Sequence, residues 1–552
     1  MRMDTTTDTI EIREQASQFI SATSPNGLLR MRPIRPGRVL LPIRELTTIE
    51  SLFPRHCQAS LRCKLKDSSL RKPLVPPKKN MTNLVAHPRI LQGGMGVAVS
   101  NWKLARAVSL VGQLGVISGT ALDTVLARRL QDGDIGGHMR RGIARFPVAG
   151  VAEEVLNRYF RPEGRRAEEA YKLIPLYKQR VSVARQQLTM LANFVEVYLA
   201  KEGHSGPVGI NLLTKVEMPN LASLYGAMLA GVDYVLMGAG IPREIPGVLD
   251  AFAEHRPASV RFDVAGLAAG ETQMLSFDPL EHGVTDGTPL TRPRFLPIIS
   301  ASSLATTLAR KANGRVDGFI VEGPTAGGHN APPRGEPKYN ERGEPTYGER
   351  DEVDLAKLRD LGLPFWIAGG AGTPQRLLEA LEAGATGVQV GTLFAYCEES
   401  GFADELKRDV IEHAGRSKVV VMTDPRASPT GYPFKVVEWA TGGEKRPRRE
   451  RLCDLGYLRS AFSRPDGRID YRCPSEPVED FVRKGGTLLE TEGRQCLCNA
   501  LLANVGLPQP RANGRTEPPL LTSGDDLETI SNFLAGRTSY TAADVISYLL
   551  GE

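Results

Sequence analysis

At 552 residues the chain has room for two or three domains, or for one large barrel with additions. No apolar run reaches the roughly 18 residues that a bilayer crossing needs, and seven cysteines, an odd number, suit a reducing compartment better than a disulfide framework. The formal net charge of +6 is unevenly spread: residues 1–80 hold 15 Lys and Arg against 7 Asp and Glu, which leaves the remainder near −2 and without a basic footprint for nucleic acid.

Residues 1–80 carry scattered Arg, Pro and Ser without sustained periodicity, and end in Arg71-Lys-Pro-Leu-Val-Pro-Pro-Lys-Lys. So little apolar surface cannot offset the entropy of ordering, and a disordered basic extension is expected. Met1 to Ile20 is acidic in places and lacks an apolar signal core, so a cytoplasmic protein is expected.

From Met81 the texture changes, and eight short apolar runs read as strands. They begin at Arg89, Leu114, Pro207, Asp233, Arg294, Phe319, Pro364 and Gly387. Amphipathic helical stretches separate most of them: Trp102 to Leu110 behind an Asn101 cap, Leu221 to Ala230, Ala301 to Lys311, and Pro374 to Ala383. Pro374 just inside and Gly384 just past the last of these fit helix-end chemistry. Eight alternating β and α units predict a (β/α)8 TIM barrel over residues 81–424. It carries a helical insertion after strand two, about 123–205, with a helix pattern from Tyr171 to Lys201 that is a candidate lid or substrate wall. A hairpin insert is expected at about 258–292, and the polar stretch 333–352 reads as an active-site loop. Residues 425–552 form a small α-rich, cysteine-containing C-terminal extension with a basic loop from Glu444 and helices near Leu527–Leu534 and Ala542–Leu550.

The chemistry-bearing residues cluster where strands break into glycine. Phe319-Ile-Val-Glu-Gly-Pro-Thr-Ala-Gly-Gly-His329 ends a buried strand in Gly327, Gly328 and a titratable imidazole, placed to act as a base. Gly369, Gly370, Gly372, Gly391 and Thr392 follow strands seven and eight, where backbone N–H groups and a helix start at Pro374 suit a phosphate. Gly93, Gly94 and Met95 end strand one and leave exposed backbone on which a flat cofactor can lie. Gln92 and Asn211 offer amides near the same mouth.

These pieces resemble the nitronate monooxygenase (2-nitropropane dioxygenase-like) family and the related FMN-dependent enoyl reductases. The motifs are Gln92-Gly-Gly-Met-Gly, Gly209-Ile-Asn-Leu-Leu, Glu322-Gly-Pro-Thr-Ala-Gly-Gly-His329, Ala368-Gly-Gly-Ala-Gly-Thr and Gly387-Val-Gln-Val-Gly-Thr-Leu-Phe, spanning roughly residues 88–400. The resemblance implies a barrel that binds FMN non-covalently. It implies Gln92, Gly93, Gly94, Met95, Gly119, Asn211, Gly238, Gly327, Gly328, Gly369, Gly370, Gly391 and Thr392 as cofactor contacts and His329 as the catalytic residue. The expected activity is that of the nitronate monooxygenase branch, in which an alkyl nitronate is oxidised with O2 to a carbonyl compound and nitrite; the enoyl reductase branch is the alternative. In the other, NAD(P)H reduces the flavin, which reduces an enoyl thioester carried by an acyl carrier protein. No nucleic acid or membrane partner is implied. Gln-Gly-Gly-Met departs from the commoner Gln-Ala-Pro-Met, and the large insert and tail favour a bulky substrate. A flavin-binding scaffold without catalysis and a sugar-phosphate barrel without flavin are the rival classes. Cys453, Cys473, Cys496 and Cys498 lack paired Cys-x-x-Cys spacing and read as plain thiols, with no metal expected.

Overall fold

The computed structural model divides into two units, Met1–Val85 and Ala86–Glu552. It describes residues 87–414, 416, 418–439 and 449–552, together with four short backbone strands near the N-terminus. Of these, Thr9–Ile12 pairs antiparallel with Val39–Pro42, and Thr23–Ser24 with Gly27–Leu28. The rest of residues 1–80, where a disordered extension is expected, and most of the basic loop from Glu444 lie outside the described residues.

The second unit is built on eight parallel strands: β1 (Ile90–Gln92), β2 (Gly115–Ser118), β3 (Val208–Leu213), β4 (Tyr234–Gly238), β5 (Arg294–Ile299), β6 (Phe319–Glu322), β7 (Phe365–Ala368) and β8 (Gly387–Val390). Their order around the sheet is β1-β8-β7-β6-β5-β4-β3-β2. The ring closes between β1 and β2, where Leu91 bridges Leu114 and the Gln92 N–H donates to the Leu114 carbonyl at 3.0 Å. This is the expected (β/α)8 TIM barrel. Helices cover the outside of the strands, so both strand faces are buried and the runs are continuously apolar rather than alternating. Leu91, Leu114, Tyr234, Leu296, Ile320 and Trp366 pack together inside the ring. Trp366 is fully buried, and its indole N–H donates to the Pro88 carbonyl at 2.8 Å, so no polar atom is stranded in the core. Truncating it to alanine would cost about 3–5 kcal/mol.

The helix ends follow their local chemistry. Asn101 caps Trp102–Leu110 by accepting from the Leu104 N–H at 3.0 Å, and Thr373 caps Pro374–Glu382 by accepting from the Arg376 N–H at 3.2 Å. The inserted hairpin is Ala258–Phe262 paired with Gln273–Phe277. Two expectations need correction. The helix expected from Tyr171 begins only at Val183, behind a Ser182 cap. Pro175, which has no N–H to donate, falls inside the segment that stays non-helical. Val183–Lys201 is not a lid either. It packs against helices Trp102–Leu110, Leu122–Gln131 and Asn220–Leu229 as the crossover layer between β2 and β3. Its buried Arg185 is ion-paired with buried Asp123 at 2.8 Å.

The polar loop 333–352 is largely exposed. It is tied down by the Thr423 N–H donating to the Glu344 carboxylate at 2.8 Å. Beyond it a hairpin, Val419–Asp424 with Phe434–Trp439, leads to the C-terminal extension. That extension contains a second hairpin, Ser460–Ser463 with Ile469–Arg472, and helices Val478–Arg483, Leu497–Ala503, Ile530–Leu534 and Ala542–Leu550. The last helix packs back on Trp102–Leu110 and Pro374–Glu382. Among the described residues no helix is long and apolar enough to cross a membrane.

Candidate active site

A cavity of about 210 Å3 opens at the C-terminal mouth of the barrel, where the strands end in their glycine loops. Of the residues expected there, Gly93, Gly94, Met95, Asn211, Gly238, Gly327, Gly328, His329, Gly369, Gly370, Gly391 and Thr392 all line it. Gln92 and Gly119 do not. The Gln92 side chain is fully buried behind the wall, donating to Ser100 Oγ at 2.8 Å and accepting from the Val116 N–H at 3.0 Å, so it ties β1 to β2. A Cβ on Gly119 would stand 2.5 Å from the Leu212 side chain, so that glycine permits packing rather than binding. No residue of 123–205 or of the loop 333–352 lines the cavity, which corrects their expected roles as wall and active-site loop.

The His329 loop is held like a strand. His329 bridges antiparallel to Phe434, the Asn330 N–H donates to the Pro433 carbonyl at 2.9 Å, and the Lys435 N–H donates to the Gly328 carbonyl at 2.9 Å. The two preceding glycines are required by this geometry. Gly328 has φ of 80°, and a Cβ on Gly327 would lie 2.8 Å from the Gly524 nitrogen. The imidazole packs edge-on to Phe434 at 4.8 Å, and its Nε2 lies 2.7 Å from Ser428 Oγ. Enclosure by the surrounding protein lowers its pKa from 6.5 to about 4, so the ring is neutral at pH 7. Glu322, at the end of β6, behaves in the opposite sense. Its strand neighbour two residues back, Ile320, belongs to the barrel core, so the carboxyl rises into the cavity floor. Desolvation there raises its pKa from 4.5 to about 7.

The cavity has features that fit a flat, polar-edged group with a phosphate. Asn211 donates to the Gly94 carbonyl at 3.1 Å, but its Oδ1 is buried without a partner, as is the Oε1 of Gln389. Buried acceptors of this kind are rare unless something else satisfies them. A Cβ on Gly94 would fall 2.3 Å from that of Asn211, so the backbone there can only be glycine. Gly369 and Gly370 have φ of 89° and 64°, left-handed values that favour glycine, and both line the cavity. The neighbouring Gly372 lies against the Asp526 carboxylate, whose Oδ2 would stand 3.0 Å from a Cβ there.

Asp526 belongs to the feature that sequence reasoning missed. The far side of the cavity is made by the C-terminal extension: Tyr457, Leu458, Leu497, Cys498 and Leu501, with the strap Thr522–Gly524 across the top. The strap is bonded to the barrel loops directly. The Gly524 N–H donates to Thr392 Oγ1 at 3.1 Å, the Gly328 N–H to Thr522 Oγ1 at 3.0 Å, and the Asp525 N–H to the Thr325 carbonyl at 3.0 Å. Tyr457 is anchored on the other side, its hydroxyl donating to Asp123. The only sequence signal for this wall is a recurrence of apolar pairs after residue 449, which reads equally as an independent small core.

Residues 288–429 match a family model described as Nitronate monooxygenase. The likeness read from the motifs is borne out over that segment, which carries β5 to β8, His329 and both later glycine loops. No curated protein matches. Among solved structures, FabK from Thermotoga maritima is 17% identical, with 84% of this chain and 92% of that chain covered and a TM-score of 0.41. Nitroalkane oxidase from Streptomyces ansochromogenes is 15% identical, with 84% and 95% covered and a TM-score of 0.41. The enoyl reductase domain of MlnA from the macrolactin biosynthesis cluster of Bacillus amyloliquefaciens is 11% identical, with 84% and 94% covered and a TM-score of 0.40.

Proposed function

We propose that this chain is an FMN-dependent oxidoreductase that uses NAD(P)H to reduce the double bond of an enoyl thioester, working in the cytoplasm on an acyl group delivered by a carrier. The observation that carries the reading is the apolar wall of Tyr457, Leu458, Leu497 and Leu501 across the cavity from the glycine loops. A small nitroalkane gives such a wall nothing to hold, whereas an acyl chain gains roughly 0.8 kcal/mol for each methylene it buries there.

In this reading FMN is held by Asn211 and Gln389, whose buried acceptors otherwise lack partners, and by the backbone of Gly93–Met95. Gly369, Gly370, Gly391 and Thr392 take its phosphate. The bound flavin supplies hydride chemistry. The protein's own groups do the rest. His329, neutral and pinned between Ser428 and Phe434, presents a fixed imidazole to the substrate, which suits polarising a thioester carbonyl better than abstracting a carbon-bound proton. Glu322 holds a proton up to about pH 7 and is a group in the cavity able to give one to the substrate's α-carbon. The strap Thr522–Gly524 and the apolar wall keep water from the reacting atoms.

Nitronate oxidation with O2 is the second reading, and the family description of residues 288–429 favours it. Steady-state turnover separates the two. NADPH consumption should accompany enoyl thioesters, with kcat/KM rising as the acyl chain lengthens from four to ten carbons. Oxygen uptake with propyl nitronate, and none of this with enoyl thioesters, would replace the proposal with the second reading.

A further inference from the structure

Three consecutive residues of the C-terminal strap meet the barrel, and the middle one has a polar side chain without any partner. Thr522 Oγ1 accepts from the Gly328 N–H at 3.0 Å, beside the histidine, and the Gly524 N–H donates to Thr392 Oγ1 at 3.1 Å, beside the later glycine loops. Between them Ser523 lines the cavity with 4% of its surface exposed, and its Oγ is buried without a hydrogen-bond partner. The Tyr396 hydroxyl stands near enough to interact with it and is likewise buried without a partner. Two adjacent hydroxyls carry two protons; a bond between them uses one and leaves the other for a third group. Buried polar atoms are rarely left in that state. The strap is also pinned: buried Lys435 is ion-paired with Asp525 at 2.5 Å, and the Asp525 N–H donates to the Thr325 carbonyl at 3.0 Å.

Two threonines of the barrel loops share this corner of the cavity. Thr325, in the loop after β6, lines the cavity, and its Oγ1 stands over the turn at Gly369 and Gly370, 2.9 Å and 3.2 Å from where their Cβ atoms would be. A Cβ on Gly524 would lie 3.0 Å from the Thr325 carbonyl oxygen and 3.0 Å from Thr392 Oγ1, so both threonines and the strap meet at one place. Thr392 Oγ1 is used as an acceptor but keeps its proton, and Thr325 Oγ1 has no hydrogen-bond partner among the described residues. The side chains of Thr325, Thr392 and Ser523 can therefore each offer an O–H to something the chain itself does not provide. Among the described residues no lysine or arginine lines the cavity, whose ionisable lining includes the carboxyls of Glu322 and Asp526. An anion seated there has to be held by neutral donors.

We infer that Thr325 and Ser523 join Thr392 in donating hydroxyl protons to the phosphate of the bound flavin, which makes the C-terminal strap part of the cofactor site. The assignment rests on the flavin reading above and adds to it two side chains outside the glycine loops. Hydrogen bonds to an ionised acceptor are roughly twice as strong as neutral ones, so these hydroxyls favour a flavin that carries phosphate over one that lacks it. The placement of Ser523 also links cofactor and catalytic loop. Thr522, its neighbour, holds Gly328 next to His329, so one short strap touches both the phosphate corner and the histidine loop.

The test is titration of the flavin-free full-length protein with FMN and, separately, with riboflavin, read by quenching of flavin fluorescence. Ser523→Ala and the isosteric Thr325→Val are each expected to raise the Kd for FMN about ten- to a hundredfold and to leave that for riboflavin, which has no phosphate, within about twofold of wild type. Ser523→Thr, which keeps the hydroxyl, should recover most of the FMN affinity. Riboflavin binding doubles as the check that each variant is folded. FMN bound as tightly by both variants as by wild type would overturn the inference and leave the flavin reading intact. So would equal weakening of FMN and riboflavin, which marks a loss of structure rather than of phosphate contacts. Wild type that binds neither flavin would overturn the flavin reading and this assignment with it.

Discussion

The loop that carries His329 and the C-terminal extension face each other across one cavity, yet they are built on opposite principles. The loop acts through backbone. Its glycines are there because a Cβ would collide or the φ is positive, and its histidine is fixed by ladder-like bonds to Phe434 and Lys435. The extension acts through side chains: apolar residues that form a surface, and a strap that borrows Thr392 and Gly328 of the barrel as bonding partners. The barrel side can be shared by many chemistries; in the proposed reading it is the extension side that selects the substrate.

Removing the loop's chemistry should have the largest effect. His329→Ala is expected to lower turnover about 10²- to 10⁴-fold while flavin content, read from absorbance after denaturation, stays at the wild-type level. Unchanged turnover would remove the residue from the mechanism. Gly94→Ala forces a Cβ to within 2.3 Å of that of Asn211. It should destabilise the fold by about 1–3 kcal/mol in urea unfolding and also release flavin, whereas retention of both would mean that the close approach can relax.

On the other side, Tyr457→Phe removes the hydroxyl that satisfies buried Asp123 and Thr124. A loss of about 1–3 kcal/mol is expected, with little change for short-chain substrates. Leu501→Ala should act in the reverse manner, raising KM several-fold for long acyl chains and leaving short ones nearly unaffected. If both chain lengths respond alike, the wall does not read the acyl chain.

The smallest effects concern pH, and their signs differ between the two titrating groups. His329 has a folded pKa of about 4, below its ordinary 6.5, so the unfolded chain takes up the proton first and stability is lost as pH falls from 6.5 toward 4. Glu322 has a folded pKa of about 7, above its ordinary 4.5, so its contribution is full below 4.5 and is lost as pH rises toward 7. Melting temperatures across pH 4 to 8 should show His329→Ala flattening the acid limb and Glu322→Gln the neutral limb.

The eight barrel strands were legible because a strand buried on both faces leaves a short apolar run, and all of them but Arg294–Ile299 have glycine at or close to an end. The cavity-lining glycines were legible for the same reason. Gln92 misled because an amide beside a glycine turn looks alike whether it faces a ligand or, as here, a neighbouring strand. Tyr171–Ser182 misled because helical spacing outlasted the helix. The wall of Tyr457 to Leu501 was hidden because it depends on contacts hundreds of residues apart, such as Tyr457 with Asp123, which no local pattern records.

The central claim, a flavin enzyme that reduces an acyl substrate, is tested most directly by the anaerobic visible spectrum of the purified protein. The account predicts a yellow protein that bleaches when NADPH is added and recovers its colour on addition of an enoyl thioester. A yellow protein that NADPH leaves unchanged while a nitronate bleaches it would contradict the reductase assignment, and a colourless protein after FMN is supplied would contradict the flavin itself.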